Sequence, residues 1–308
     1  MVLATPTAAP TPPQLSKEYV YAGSRLLTVE DAKASAIPPT DLAIWKPSTG
    51  AWHVFSGDHQ LGDPVIILGE SGDIPVQGDY DGDGKTDFAV FRPSNGYTYI
   101  VRSSDNSDYS VQGGTADDVP VPADFDGDNK TDIVFRKNSD KKWTIKLSTT
   151  NGVIESTYGS SGSDVPIAGD FDGDGLADKA YWKSSNHTFY FIGSSDNTEH
   201  TQSLGVSSDV PICADYDGDG KTDFAVKREE RWIIRSSFDG TETGIEWQNA
   251  GDTPIPNDYD GDGKVDIAVW HEAPDDGMWY IRQSSDLSTR IEKFGSPGDI
   301  PVPANYRR

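Results

Sequence analysis

Cysteine is almost absent from this sequence, because the 308 residues include only Cys213. One cysteine cannot form a disulfide within the chain, and the strand-like run Val-Pro-Ile-Cys-Ala around it favours a small buried side chain over a reactive thiol. Apolar runs long enough to cross a bilayer are missing. The hydrolase motifs Gly-x-Ser-x-Gly and His-Glu-x-x-His are missing too, and the five histidines show no metal-ligand spacing.

Positive charge is also scarce, with 26 Lys and Arg against 50 Asp and Glu and a formal net charge of -24. This acidity disfavours nucleic acid and anionic membranes as partners. No segment shows a helical period. The chain can still bury a core, because 35 % of it is hydrophobic and it contains 8 Trp, 13 Tyr and 11 Phe. Its length suits one large domain or two smaller ones.

The acidic residues are concentrated in a nine-residue motif, first seen as Asp79-Tyr80-Asp81-Gly82-Asp83-Gly84-Lys85-Thr86-Asp87. Its carboxylates occupy the first, third, fifth and ninth positions, and its glycines allow backbone angles that other residues adopt poorly. Calcium takes about 6–8 oxygen ligands, mostly carboxylates and carbonyls. Alternate aspartates on a tight loop can all point at one ion, and the main-chain carbonyl of the seventh residue can add a further oxygen. The motif therefore predicts a calcium site.

Five copies of the motif occur in phase, with first aspartates separated by 45, 46, 45 and 43 residues. A fixed period of this size indicates a repeat architecture. In the second copy Asn129 replaces a glycine, and Asn tolerates left-handed backbone angles better than most residues. About five Ca²⁺ ions are expected. The predicted ligands are Asp79, Asp81, Asp83, Lys85, Asp87, Asp124, Asp126, Asp128, Lys130, Asp132, Asp170, Asp172, Asp174, Leu176, Asp178, Asp215, Asp217, Asp219, Lys221, Asp223, Asp258, Asp260, Asp262, Lys264 and Asp266.

An EF-hand is the obvious alternative for an aspartate-rich loop, and the sequence argues against it. An EF-hand requires a bidentate Glu at loop position twelve and a helix on each side. When Asp79 is counted as the first loop position, the twelfth is Val90. The flanking segments are rich in strand-forming residues, and Pro75 would interrupt a helix.

Each repeat predicts four strands, which in the first complete copy span roughly residues 74–79, 87–92, 97–102 and 108–112. The aspartate motif joins the first strand to the second, and Pro93-Ser94-Asn95-Gly96 predicts a turn before the third. The second strand is apolar on both faces, so both faces of its sheet must be covered. Because no helical pattern is available, sheets must cover one another around a ring. The predicted fold class is all-β, a β-propeller of four-stranded blades.

The two ends of the repeat region together predict one further blade. Residues 298–306 copy 72–80, and the chain then stops where a loop should begin; residues 40–48 copy 86–94. The C-terminus is therefore expected to supply the first strand of a blade whose other strands come from residues about 41–70, which gives six blades. This closing blade has no continuous aspartate loop, so it is expected to lack the calcium site or to hold only a degraded one.

Residues 1–17 are rich in Pro, Ala and Thr, with neither a charged start nor a leucine-rich core. This composition predicts a semi-extended linker rather than a signal peptide. The linker suggests that the chain is a piece of a longer protein, or that its secretion signal has been removed. Residues 18–39 are expected to form a short extended lead-in segment, and residues 40–308 the six-bladed propeller.

The Asp-x-Asp-Gly-Asp-Gly-x-x-Asp loop, with an apolar run such as Phe88-Ala89-Val90 after it, resembles the FG-GAP and VCBS repeats of integrin α-subunit propellers and related bacterial and fungal propellers, some of them lectins. The resemblance covers about residues 40–308 and matches the five loops residue by residue. The blade number departs from the seven of the most familiar members, and no ligand site is carried over. The resemblance implies a calcium-binding propeller with a role in adhesion or carbohydrate binding.

Two other positions recur in the repeat. The first carries aromatics that either stack on sugars or pack between blades; packing is favoured, because a structural repeat preserves core positions first. The second carries cations that either bind anions on one face or pair with the abundant acids. The first position comprises Trp52, Thr98, Trp143, Phe189, Trp232 and Trp279, and the second Lys46, Arg92, Lys137, Lys183, Arg228 and His271.

Three functions remain open. The first is a non-catalytic extracellular module that binds a glycan or protein; the second is a structural scaffold domain of a larger secreted or surface assembly. The third is a polysaccharide-active propeller enzyme, which ranks last because calcium ions nearly enclosed by their own loops favour a structural role. Extracellular calcium is abundant, so an extracellular or cell-surface location, in a bacterium, is expected. No nucleic acid partner and no membrane insertion are expected.

Overall fold

The computed structural model describes residues 18–22, 25–30, 39–55, 65–274 and 276–306, with side chains from residue 39 onwards. The linker predicted for residues 1–17 lies outside the described residues. Within these ranges no helix is both long enough and apolar enough to cross a membrane.

Six four-stranded antiparallel sheets form the blades of a β-propeller, and this confirms the predicted fold class. A separate hairpin comes first in the chain, made of β1 (Glu18–Ala22) and β2 (Arg25–Glu30). Three strands of the closing blade follow: β3 (Ala43–Lys46), β4 (Ala51–Val54) and β5 (Ile66–Ile67).

The next five blades follow the order of the chain. Blade 1 contains β6 (Ile74–Pro75), β7 (Phe88–Arg92), β8 (Tyr97–Val101) and β9 (Asp108–Gln112). Blade 2 contains β10 (Asp118–Pro120), β11 (Ile133–Lys137), β12 (Lys142–Lys146) and β13 (Val153–Thr157). Blade 3 contains β14 (Val165–Gly169), β15 (Asp178–Lys183), β16 (Thr188–Ile192) and β17 (Glu199–Ser203). Blade 4 contains β18 (Val210–Pro211), β19 (Phe224–Arg228), β20 (Arg231–Arg235) and β21 (Glu242–Glu246). Blade 5 contains β22 (Thr253–Pro254), β23 (Ile267–Glu272), β24 (Gly277–Arg282) and β25 (Thr289–Lys293).

The closing blade joins the two ends of the repeat region, as the sequence predicts. Its first strand is β26 (Ile300–Pro301), which pairs antiparallel with β3 through Ile300 opposite Trp45 and Pro301 opposite Ile44. A further bridge links Asp41 to Ala304. Tyr306 then stacks on Phe88 of blade 1, with ring centroids 4.8 Å apart. The C-terminal segment is thus bonded within its own blade and packed against the next.

The core lies between the blades. The second strand of blade 1 is buried on both faces, whereas the fourth, β9, alternates between exposed and half-buried residues. One apolar cluster contains Trp52 of the closing blade, Phe88 of blade 1 and Val134 of blade 2. Apolar contact between neighbouring sheets therefore supplies the cover that helices provide in other folds.

The first strand of the repeat is shorter than the predicted span of residues 74–79. Regular pairing in β6 ends at Pro75, which has no N–H to donate to a ladder. The pairing continues as single hydrogen bonds, from Val76 N to Ala89 O at 2.9 Å and from Asp87 N to Gly78 O at 2.7 Å. The chain therefore stays beside its neighbour as far as the aspartate loop, without a continuous strand.

The hairpin formed by β1 and β2 approaches the innermost strands of the ring. Strand β1 runs beside β14 and β18, and β2 runs beside β6. These three neighbours are the first strands of blades 3, 4 and 1. The hairpin therefore faces the inner side of the propeller rather than its outer edge.

Candidate metal centres

The five aspartate loops each connect the first strand of a blade to the second. In every loop three carboxylates bring oxygen atoms within 4.8 Å of one another, a spacing at which one metal ion can contact all three. In four loops the group comprises positions one, three and nine: Asp79, Asp81, Asp87; Asp124, Asp126, Asp132; Asp170, Asp172, Asp178; and Asp215, Asp217, Asp223. In the fifth loop it comprises positions one, three and five: Asp258, Asp260 and Asp262.

The first aspartate of each loop is fixed by the main chain of that loop. In loop 1, Asp79 Oδ1 accepts a hydrogen bond from Gly82 N at 2.5 Å, and Oδ2 accepts one from Gly84 N at 2.9 Å. In loop 2 the corresponding donor to Asp124 Oδ2 is Asn129 N at 2.8 Å. Asn129 adopts the left-handed angle expected of the glycine it replaces, with φ 64. The chain therefore curls around its first carboxylate in the same way in both loops.

The ninth residue reaches each loop from the start of the second strand. Asp87 is fully buried, and its two oxygens accept hydrogen bonds from Tyr80 N at 2.9 Å and from Ser103 N at 2.7 Å. Asp132, Asp178, Asp223 and Asp266 accept the corresponding bonds in the other loops. The ninth aspartate thus joins the loop to the turn after the third strand.

That turn brings hydroxyl groups to the loop which the sequence reasoning missed. Ser103 Oγ donates to Asp83 Oδ1 at 2.9 Å, and Ser104 Oγ donates to Asp81 Oδ2 at 2.5 Å. A Ser-Ser or Ser-Thr pair follows the third strand in every complete blade, and this recurrence was the available signal. The corresponding pairs are Ser148 and Thr149, Ser194 and Ser195, Ser236 and Ser237, and Ser284 and Ser285.

Burial makes the negative charge of the loops costly. It raises the pKa of Asp87 to about 6 and the pKa of Asp132 to about 7, against the lowering effect of the N–H donors around them. In the third to fifth loops burial also raises the pKa of Asp178, Asp223 and Asp266, each to about 7. A carboxylate in such surroundings is stabilised by a nearby cation. The side chains that converge at each site offer only carboxylate oxygens, which suit calcium better than a metal that prefers sulfur or nitrogen.

Successive loops also contact one another. Gly82 has φ +83, and a Cβ atom there would lie 2.9 Å from Cε of Lys130, the seventh residue of the next loop. Gly173 is crowded in the same way by Lys221, whose Nζ donates to the main-chain oxygen of Asp172 at 2.9 Å. The glycine at position four is therefore required for its backbone angle, and a Cβ atom there would also have to displace the end of the neighbouring lysine side chain.

A ring of main-chain hydrogen bonds runs through the same region. In blade 1 the carbonyl of the first loop residue, Asp79, accepts a hydrogen bond from the N–H of Thr131 in blade 2 at 2.7 Å. The closing blade belongs to the same ring. Its Asn305 O accepts a hydrogen bond from Thr86 N of blade 1 at 2.6 Å. The remaining donor and acceptor pairs are Ala177 to Asp124, Thr222 to Asp170, Val265 to Asp215 and Thr40 to Asp258, so every blade is bonded to the next.

The structure places the predicted ligand residues in two groups. The first and third aspartates converge in all five loops, joined by the ninth in four loops and by the fifth in one. Asp83, Asp128, Asp174 and Asp219, the fifth residues of the other loops, accept serine or threonine hydroxyls, as Asp262 also does. Asp266, the ninth residue of the fifth loop, lies outside the converging group of that loop. The role predicted for the carbonyls of Lys85, Lys130, Leu176, Lys221 and Lys264 stays a prediction.

The two other recurring positions serve packing and ion pairing. The aromatic position is buried: Trp52, Trp143, Phe189, Trp232 and Trp279 are all 0 % exposed, so none can present a face to a sugar. At the cationic position Lys46, Arg92, Arg228 and His271 pair with Asp299, Asp73, Asp209 and Asp252. Within the described residues Lys137 and Lys183 form no ion pair, and Asp164 of blade 3 pairs with Arg136 of blade 2. A second acidic set, which the sequence patterns did not reveal, consists of the aspartates at or just before the six first strands: Asp73, Asp118, Asp164, Asp209, Asp252 and Asp299.

The fold and its loops define a six-bladed β-propeller with an acidic loop in five of its blades. The chain is similar in structure to a lectin of Agrocybe aegerita described as recognising non-reducing terminal N-acetylglucosamine, with TM-score 0.58, 12% identity, and coverage of 94% of this chain and 100% of the lectin. It is also similar to TolB from Acinetobacter baumannii (TM-score 0.55, 13% identity, coverage 89% and 68%) and to a streptogramin B lyase (TM-score 0.53, 9% identity, coverage 91% and 89%). At these identities the similarity extends to the fold alone. No protein-family model and no curated protein matches the sequence.

Proposed function

We propose that this protein is a non-catalytic, calcium-stabilised binding module that recognises a glycan or protein ligand outside the cell or at a bacterial cell surface. The observation that carries the proposal is the recurrence of one carboxylate group in five blades, with the ligand atoms of each group within 4.8 Å. Because calcium is abundant outside the cell, such sites would be filled there without a protein that delivers the ion. The FG-GAP and VCBS resemblance of the loops and the lectin among the structural neighbours support the binding role.

The calcium part rests on the fit between the residues and the ion. Calcium accepts carboxylate and carbonyl oxygens in flexible geometry, and each loop offers several carboxylates on one curled segment. The ion would offset the repulsion among them and the cost of burying the first and ninth aspartates. When bound, it supplies positive charge that holds the loop closed. The same loops bond one blade to the next, so the ion would stabilise the ring.

Isothermal titration calorimetry on the decalcified protein tests this part. We expect about five bound Ca²⁺ per chain and weak binding of Mg²⁺, which demands smaller octahedral sites and loses water reluctantly. Fewer than about three Ca²⁺ ions, or equal binding of Mg²⁺, would refute the calcium assignment.

The binding part is tested by a glycan array and by capture of protein partners, each with calcium and with chelator. Specific retention in calcium supports a binding module.

The second candidate is a structural scaffold domain of a larger assembly. One observation favours it: the recurring aromatics and most of the recurring cations serve packing and ion pairs. Retention of no glycan and no protein partner would favour the scaffold. Turnover of acidic polysaccharides in an activity screen would favour the enzyme.

A further inference from the structure

One interface of the ring contains a pocket. It has a volume of about 320 Å³ and lies between blades 1 and 2, beside the first two aspartate loops. Blade 1 contributes Tyr80, Asp81, Arg102, Tyr109 and Val111. Blade 2 contributes Lys130, Thr131, Ile133, Lys146, Leu147, Ser148 and Asn151. The volume is at the lower end of the range for small-molecule sites, about 300–1,000 Å³, and far exceeds the roughly 30 Å³ of a water molecule.

The pocket gathers positive charge in a strongly acidic chain. Arg102, Lys130 and Lys146 all line it, against one carboxylate, that of Asp81. Within the described residues none of the three cations forms an ion pair with a carboxylate. At the recurring cationic position, by contrast, Lys46, Arg92, Arg228 and His271 pair with aspartates. Three unpaired cations at one pocket therefore indicate a ligand with negative charge.

Arg102 is the best-positioned of the three. Its guanidinium carbon lies 4.8 Å from the centroid of the Tyr109 ring, which holds the planar group against an aromatic face. Its Nε atom is buried and has no hydrogen-bond partner. A buried donor without a partner is costly, and a bound carboxylate would satisfy it with the geometry that guanidinium groups favour.

Among the four interfaces between blades 1 to 5, this one alone carries all three cations. Arg102 follows the third strand of blade 1, Lys130 is the seventh residue of loop 2, and Lys146 ends β12. The corresponding positions between blades 2 and 3 carry the apolar residues Leu147, Leu176 and Ile192. Those between blades 3 and 4 carry Gly193, Lys221 and Arg235, and those between blades 4 and 5 carry Ser236, Lys264 and Arg282. The loop lysine and the cation that ends the third strand therefore recur at two further interfaces, and Arg102, which has no cationic counterpart there, is the residue that distinguishes this pocket.

We infer that the pocket between blades 1 and 2 binds an acidic saccharide through the carboxylate of a uronic acid residue. The inference rests on the proposed binding function and names its ligand class and its site. Arg102, Lys130 and Lys146 contact the carboxylate, while Asn151 and Asp81 offer polar groups to ring hydroxyls. A saccharide suits the pocket better than a small inorganic anion, because the anion would fill only a small part of the volume.

The test compares matched glycosides on the full chain in calcium buffer. Methyl glucuronide and methyl galacturonide are titrated beside methyl glucoside and methyl galactoside, which differ by a hydroxymethyl group in place of the carboxylate. We expect at least one uronide to bind at least about tenfold more tightly than its neutral partner. Arg102→Gln and Lys146→Gln should each weaken that binding by about tenfold or more. Gln already stands at the position of Arg102 in blade 5, as Gln283, so this variant suits the repeat.

The matched control is Arg282→Gln, which removes the cation at the position of Lys146 in blade 5 and should leave uronide binding unchanged. Equal binding of the charged and neutral glycosides, no binding of either uronide, or full affinity in both variants would overturn the inference. Displacement of the uronide by equimolar inorganic phosphate would also overturn it, since the site would then recognise an isolated anion. Glycan-array binding that survives Arg102→Gln would leave the proposed function standing and refute this site alone.

Discussion

The main-chain N–H of Thr40 donates a hydrogen bond to the main-chain oxygen of Asp258 at 2.8 Å, although the two residues lie near opposite ends of the propeller sequence. The Thr40 hydroxyl also donates to Asn257 Oδ1 at 2.8 Å. Asp258 is the first residue of the fifth aspartate loop. The closing blade is therefore attached to blade 5 by the same type of bond that links every other pair of neighbours, although it has no complete loop of its own.

Removal of residues 298–308 should open the ring. The deletion removes β26 and the Tyr306 ring that stacks on Phe88, and it leaves an unpaired edge at β3. We expect the melting temperature to fall steeply and aggregation to increase. Differential scanning calorimetry measures both effects. An unchanged melting curve would show that the closing blade does not depend on the C-terminal strand.

Trp143→Ala should destabilise the protein without a specific effect on ligand binding. The side chain is 0 % exposed, and its Nε1 donates to Tyr158 O at 3.0 Å. Truncation leaves a cavity and an unpaired carbonyl, and the expected loss is about 3–5 kcal/mol in the free energy of unfolding. Phe238→Ala is the control, because Phe238 is 78% exposed and its loss should change stability by no more than about 0.5 kcal/mol. Lost glycan binding with an unshifted melting curve would contradict the packing role.

Chelation should lower the melting temperature steeply, and calcium should restore it while magnesium restores it poorly. When an ion binds only to the folded state and its free concentration is 100 times the dissociation constant, each site adds about 2.7 kcal/mol to the free energy of unfolding. Several such sites together would match the whole stability of an ordinary domain, roughly 5–15 kcal/mol.

Asp83→Ala should weaken calcium binding at one loop. Asp41→Ala should leave the number of bound ions unchanged, because Asp41 lies in the closing blade; a lower ion count in that variant would reveal a sixth site.

The decalcified protein should lose stability as the pH rises from about 4 to about 7. Burial raises the pKa of Asp132, Asp178, Asp223 and Asp266 to about 7, above the unfolded value near 3.8. Within this window the folded state binds more protons than the unfolded state, so stability falls with increasing pH. The rise in melting temperature on adding calcium should accordingly be larger at pH 8 than at pH 5.5. An equal rise at both values would contradict the assigned pKa shifts.

Arg136→Ala should destabilise the interface between blades 2 and 3. The side chain is 0% exposed, lies 3.7 Å from the Asp164 carboxylate across the interface, and donates from Nη2 to Ser161 O at 3.0 Å. Removal leaves a buried carboxylate and unpaired carbonyls, so we expect a loss of about 3 kcal/mol in urea unfolding. The adjacent Lys137→Ala, at a half-buried position, should change stability by about 0.5 kcal/mol or less. Equal losses of unfolding free energy in the two variants would show that the ion pair with Asp164 does not stabilise the interface.

Much of the fold could be predicted because the start and end of each repeat can be recognised in the sequence. The loop at Asp79 recurs in phase, and residues 40–48 and 298–306 are recognisable halves of one unit, so the blade number and the closing blade follow from the sequence. The serine pairs at the loops were missed because hydroxyls carry no metal-ligand signal on their own.

The pocket between blades 1 and 2 could not be predicted either. Arg102 and Lys146 are 44 residues apart, and each is an ordinary surface cation within its own repeat. They meet only because blades 1 and 2 pack side by side around this pocket. Likewise Arg136, which lies outside the recurring cationic position, pairs across the interface with Asp164 of blade 3. Contacts between repeats depend on how the sheets are rotated against one another, which periodicity does not specify.

The six bonds that link each blade to the next form a circuit with neither a first nor a last member. A linear array of repeats can fray from its ends one unit at a time. Here every blade has two neighbours, so losing one unit breaks two junctions and costs more than trimming an end would. We therefore expect the propeller to unfold as a whole, and we expect new chain ends introduced between any two blades to be tolerated once the present ends are joined.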